Sequence, residues 1–97
     1  MQSGSKRIIE VICGIPAGHV LSYGEVARRA GFGNGARRVA RILHSSSEKR
    51  SLPWHRVVNS QGKISLTGDA YDLQRALLQS EGIEFGPKDR IDLARYA

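Results

Sequence analysis

The stretch SYGEVARRAGFGNGARRVARILH, residues 22–44, decides the fold. Ser22-Tyr23-Gly24-Glu25 has the Ser-x-x-Glu form of a capping box, in which side chains take up the orphan N–H groups of a first helical turn. A short helix follows to about Ala30, and Gly31 stops it by entering the left-handed conformation that ends many helices. Gly31-Phe32-Gly33-Asn34-Gly35 is a tight turn. A second helix then runs from about Gly35 or Ala36 to His44. Ala36, Val39, Ala40 and Leu43 fall at i, i+3, i+4 and i+7, which predicts one buried stripe. Arg37, Arg38 and Arg41 lie off that stripe. Two short helices joined by a glycine turn, the second rich in outward arginine, form a helix-turn-helix pattern.

Working outward, residues 5–13 read as a helix, with Ile8, Val11, Ile12 and Ile15 at helical spacing and Gly14 and Pro16 ending it. Cys13 is expected beside Ile12 on the core side, as a small apolar residue. Val57-Val58 and Lys63-Ile64 read as two short strands around Asn59-Ser60-Gln61-Gly62, a small hairpin or wing, with Asn59 bracing the turn through its side chain. Leu73, Ala76 and Leu77 share one face of a further helix that Gly82 stops. Ile91-Asp92-Leu93 reads as a last short strand. The expected class is α+β and mostly helical, a winged helix-turn-helix-like DNA-binding domain.

Residues 1–97 suffice for one small domain with a modest core. The formal net charge of +6 favours an anionic partner. The single cysteine excludes an internal disulfide, and no Cys/His metal spacing or cofactor motif occurs. A reducing, cytoplasmic compartment is expected, nucleoid-associated in a bacterium and nuclear in a eukaryote. No stretch reads as a signal peptide or membrane span, so no membrane partner is expected.

One more stretch is unusual. Pro53-Trp54-His55-Arg56-Val57-Val58 sets the only tryptophan of the chain between a proline and a histidine. This segment resembles the active site of the O6-alkylguanine-DNA alkyltransferase family, whose signature is Pro-Cys-His-Arg-Val. Ile15-Pro16-x-Gly18, Ser22-Tyr23-Gly24-Glu25-Val26-Ala27, Ala36-Arg37-Arg38-Val39 and Leu77-Leu78-Gln79-Ser80-Glu81-Gly82 resemble the family's other motifs, in order and spacing. The resemblance covers nearly the whole chain. It departs at Trp54, which stands where the family has its nucleophile, and indole offers no thiolate. A lone domain with Trp before His-Arg-Val is similar to the alkyltransferase-like proteins.

That resemblance implies a non-catalytic DNA damage sensor. It would bind O6-alkylguanine in duplex DNA by minor-groove helix-turn-helix contact and base flipping, act as a monomer, shield the lesion and flag it to nucleotide excision repair proteins. It implies that Arg37 is a finger entering the duplex and that Arg38 and Arg41 bind backbone phosphates. Tyr23, Trp54, His55, Arg56, Val57 and Gly68 would make the lesion pocket, with Gly68 in a loop of residues 65–69 closing on the base. His55 and Glu81 would remain as a structural pair. The family's hinge Asn corresponds to Ser46. The main alternative is a winged helix-turn-helix regulator reading DNA sequence. A further one is an enzyme in which His55 and Glu81 activate water.

Overall fold

In a computed structural model, the structure describes residues 4–97, the side chains of 46–50 apart. Helix α1 (Gly4–Cys13) turns Ile8 and Ile12 inward. Cys13 is exposed, contrary to its expected place in the core, because one helical step beyond Ile12 rotates it off the buried face. Strand β1 (Leu21–Ser22) leads directly into α2 (Tyr23–Arg29). Half of the capping box forms: the Glu25 N–H donates to the Ser22 hydroxyl at 3.1 Å. The Glu25 carboxylate turns instead to Arg28 and Arg29, whose guanidiniums hold its pKa down at about 2.

The stop at Gly31 is a Schellman motif. Gly31 has φ +90°, its N–H donates to the Arg28 carbonyl, and the Phe32 N–H reaches the Ala27 carbonyl at 2.7 Å. Helix α3 spans Ala36–Arg50, six residues past the expected end at His44. No Gly or Pro intervenes before Pro53, and Ser45 returns its hydroxyl to the Arg41 carbonyl one turn back. Its buried stripe is Val39, Ile42 and Leu43, while Ala36 and Ala40 are exposed. The helix is rotated toward Ile42 because burying its large side chain removes more apolar area from water than burying two alanines.

A 3-10 turn, Trp54–Arg56, feeds strand β2 (Val57–Val58). The expected hairpin with Lys63-Ile64 is absent. β2 pairs in parallel with β1 instead, Leu21 opposite Val57 and Ser22 opposite Val58. The loop after it is closed locally: the Asn59 Oδ1 accepts from the Gln61 and Lys63 N–H groups at 2.9 and 3.0 Å, the Asx bracing expected of Asn59. The two-stranded sheet divides the interior. Leu21 and Val57 join a cluster with α1, α2 and α3, whereas their neighbours Val20 and Val58 join a second with Ile64, Leu78, Ile83, Ile91 and Tyr96. This is the pleat at work, with successive side chains on opposite faces.

Helix α4 (Gly68–Ser80) buries Gln74 and Leu78, not the expected Leu73, Ala76 and Leu77. The reason is polar. Gln74 Nε2 donates to the carbonyls of His55 and Val57, both at 3.1 Å, and these buried acceptors need a donor. A second Schellman motif ends α4 at Gly82, which has φ +88°. The Ile83 N–H bonds the Leu78 carbonyl, and the two side chains share the second cluster. The expected strand at residues 91–93 does not form. Ile91 makes one backbone bond to the Gly62 carbonyl, and α5 (Leu93–Tyr96) starts directly after Asp92.

Gly62 has φ +79°, and a Cβ there would run into the backbone of Ile91. Gly62→Ala is therefore expected to destabilise by about 3 kcal/mol or more in urea denaturation. Gly68→Ala, at φ +62° with open space around it, is expected to lose only about 1 kcal/mol.

Candidate nucleic-acid interface

Three helices, α2, α3 and α4, meet around Trp54. The indole is half-buried against the first core cluster and meets the His55 ring edge-on at 6.0 Å between centroids. On one side lies a cleft of about 620 Å³. Tyr23 from the start of α2, Ala40 and His44 from α3, Trp54 and Val57, and Leu66 and Leu73 around α4 border it. Tyr23 is tied across the cleft to Ser65 by a hydroxyl–hydroxyl hydrogen bond of 3.2 Å. Its position is inherited from β1, since the residue after the strand is the first of α2.

On the other side of Trp54 is a second cleft of about 650 Å³, bordered by Cys13, Pro53, Trp54, His55, Arg56 and Leu77. Here His55 Nε2 lies 2.9 Å from Glu81 Oε2. Arg56 grips the same carboxylate in bidentate fashion, Nε to Oε1 at 3.0 Å and Nη2 to Oε2 at 2.7 Å. Its Nη1 donates to the Ile15 carbonyl at 2.8 Å. All three side chains are at most 18% exposed. Arg56 foremost, with His55, holds the Glu81 carboxyl down at about 2 against the opposing effect of burial.

Of the residues expected to share one pocket, Tyr23, Trp54 and Val57 border the first cleft. His55 and Arg56 face Glu81 instead, and Gly68 opens α4 without bordering the cleft. Ser46 lies among the side chains outside the description. Five residues of the cleft escaped sequence reasoning: Ala40, Leu43 and Leu73, assigned to core stripes, and His44 and Gln74, whereas Ser65 and Leu66 lie in the 65–69 loop expected to close on the base. An exposed leucine is a signal only once burial is known.

The cations sit beside the cleft on α3. Arg37 and Arg41, one turn apart, are exposed. Arg38 is exposed too, and its guanidinium lies over the Phe32 ring at 4.9 Å. Arg28 and Arg29 on α2 share the single carboxylate of Glu25, so most of the uncompensated charge of the helix pair belongs to α3. Among the described residues no group of three His, Cys, Asp or Glu could hold a metal ion, and no helix is long and apolar enough to cross a membrane.

A helix-turn-helix with an arginine-bearing second helix beside a pocket walled by an aromatic is the framework of a DNA-binding domain. The family model for the 6-O-methylguanine DNA methyltransferase DNA-binding domain matches residues 4–83. The DNA base-flipping protein of Escherichia coli is 44% identical over 94% of this chain and 70% of its own length. Alkyltransferase-like protein 1 of Schizosaccharomyces pombe is 38% identical over 80% of this chain and 74% of its own. The crystal structure of that yeast protein with damaged DNA containing O6-carboxymethylguanine superposes with a TM-score of 0.84 at 31% identity, covering 99% of this chain and 96% of the other. The chain belongs to the 6-O-methylguanine DNA methyltransferase DNA-binding domain family and, within it, to the alkyltransferase-like proteins.

A carboxyl whose pKa is depressed by folding stabilises the protein above its ordinary value of 4.5, and that stability drains away as pH falls toward about 2. Glu81→Gln is expected to lower stability at pH 7 by roughly 2–3 kcal/mol, because Arg56 is left buried without its counter-charge. In thermal melts from pH 7 to 2, the variant's Tm should fall less steeply than the parent's below pH 4.5.

Proposed function

We propose that the protein is a non-catalytic sensor of O6-alkylguanine in duplex DNA. It extrudes the damaged nucleotide into the cleft beside Trp54, holds it there unrepaired, and marks the site for nucleotide excision repair. The observation that carries this reading is Trp54 itself. In the segment that matches the alkyltransferase signature, an indole stands in the nucleophile's position, on the wall of a cleft beside the arginine helix. The intact Glu81 clasp supports the same reading: it has a structural use that does not depend on a thiol.

Affinity and discrimination would then come from different groups. Arg38 and Arg41 bind backbone phosphates, each adding about 0.9 to the slope of log K against log salt. Arg37 fills the gap left by the extruded base, its planar guanidinium stacking on neighbouring bases. The exposed Ala36 and Ala40 leave the outward face of α3 low, so that the duplex can approach its backbone closely. Tyr23 crowds the phosphate next to the target and favours its rotation. Extrusion costs on the order of a few kcal/mol, and least for a poorly paired base, so the lesion contributes to its own selection. The protein acts as a monomer, on the nucleoid of a bacterium or in a eukaryotic nucleus.

The decisive experiment is binding to one duplex with guanine or O6-methylguanine, followed by mass analysis of the protein. Preference for the lesion with unchanged protein mass and intact adduct is expected. A methyl group on the protein, Cys13 included, or restored guanine means chemistry and ends the non-catalytic reading. Preference that follows DNA sequence rather than damage means a regulator. Among variants, Arg37→Ala should lose lesion preference by about tenfold or more, roughly 1.4 kcal/mol. Arg41→Ala should keep that preference and lower the salt slope by about 0.9. Trp54→Ala should keep nonspecific affinity and lose discrimination among alkyl groups.

A further inference from the structure

We infer that the cleft selects neutral, apolar O6 substituents over anionic ones of the same size, and that Leu66 and Leu73 set the preference. This rests on the lesion-binding reading above and goes on to name the class of adduct. The argument begins with what the cleft lacks. The net charge of the chain is +6, yet among the described residues neither Lys nor Arg borders the cleft. The arginines of α3 lie outside it, where phosphates are their natural partners.

The polar atoms that do border it are largely committed. The Gln74 amide nitrogen spends its two hydrogens on the His55 and Val57 carbonyls, so the group can offer the cleft only an acceptor oxygen. Tyr23 and Ser65 hydrogen-bond each other, which leaves one hydroxyl hydrogen between them. His44 and the indole N–H of Trp54 are the remaining polar groups of the lining. A carboxylate entering here gives up hydration from both oxygens, meets too few donors to replace it, and finds no lysine or arginine to balance its charge. The surrounding DNA phosphates add repulsion.

The apolar atoms point the other way. Leu66 and Leu73 are 39% and 53% exposed, and they are the exposed large hydrophobics among the described residues. Both border this cleft, facing Trp54, Val57, Leu43 and Ala40. Neither belongs to a core cluster. Two exposed leucines at the mouth of an aromatic-walled cleft gain contact only when something apolar enters it. The yeast relative was crystallised with O6-carboxymethylguanine, so the fold itself admits an anionic adduct. The preference inferred for this chain is a property of its lining.

The test compares the same duplex carrying guanine, O6-isobutylguanine or O6-carboxymethylguanine. The two adducts have the same number of heavy atoms and differ in charge. The parent protein is expected to bind the isobutyl duplex about tenfold or more tighter than the carboxymethyl duplex. Leu66→Lys and Leu73→Lys, both at exposed positions, should shrink that ratio several-fold, whereas Leu73→Met should preserve it. Taking the ratio cancels the general gain in DNA affinity that any added lysine brings. Equal or tighter binding of the carboxymethyl duplex, with both adducts still preferred to guanine, overturns this inference and leaves the lesion-sensor reading standing. A ratio unmoved by either lysine overturns the role of the two leucines. Loss of all preference over guanine overturns the sensor reading itself.

Discussion

Two residue pairs hold the molecule's parts in relation: Leu21 against Val57 and Ser22 against Val58. The sheet is as small as a sheet can be, yet it joins segments more than thirty residues apart in sequence. Each strand is only two residues long, so the elements attached at either end of the pair stay close to one another. Tyr23 directly follows β1, the Trp54–Arg56 turn directly precedes β2, and Tyr23 and Trp54 both border the first cleft. The pleat then sends Leu21 and Val57 to one core cluster, and Val58 and Val20, the residue before β1, to the other. A one-residue slip would exchange the clusters' side chains and carry Trp54 out of line with Tyr23. The register of four residues thus fixes both the packing and the cleft.

Glu81 secures what the sheet brings together. Its carboxylate binds His55 and Arg56 of the site loop, and through Arg56 it reaches the Ile15 carbonyl behind α1. Its own place is set by the Schellman end of α4, since it is the cap residue directly before Gly82. An ion pair that is largely out of water adds little net stability when compared with an apolar replacement, but removing one partner is expensive. The clasp therefore acts chiefly to specify one arrangement of the loop. It is oriented away from the first cleft, which is why Trp54 can serve two surroundings at once: one face of the loop is locked and the other is open.

Much of this was legible in the sequence, and the parts that were not share a cause. Local chemistry came through: the Ser22 cap, the glycine stops at Gly31 and Gly82, the Asn59 turn and the basic face of α3 all follow from neighbouring residues. So did the His55–Glu81 pair, which rests on the family pattern. What misled was rotation and partnership. Alanine fits either face of a helix, so Ala36 and Ala40 suggested a stripe that Ile42 takes. Leu73 looked like core, but the buried position belongs to Gln74, because two carbonyls of a distant loop need its amide. Val57-Val58 looked like half of a hairpin, but its partner lies far upstream. Each error concerns a contact across the chain, which periodicity along the chain cannot specify.

Several of those misassigned residues line the cleft beside Trp54. Ala40 and His44 lie along the same helix as Arg37 and Arg41, so α3 carries both the charges that attract DNA and part of the uncharged cleft wall. Phosphate attraction is indifferent to base identity and to damage, so arginines alone would spread the protein over all DNA. A cleft whose described lining has no lysine or arginine does not add to that attraction. On the proposed reading it contributes only when a base has left the stack and presents apolar surface to Trp54, Leu66 and Leu73. Keeping the two kinds of contact on adjacent faces of one rigid helix lets a weak, salt-sensitive grip search and lets a salt-insensitive one decide.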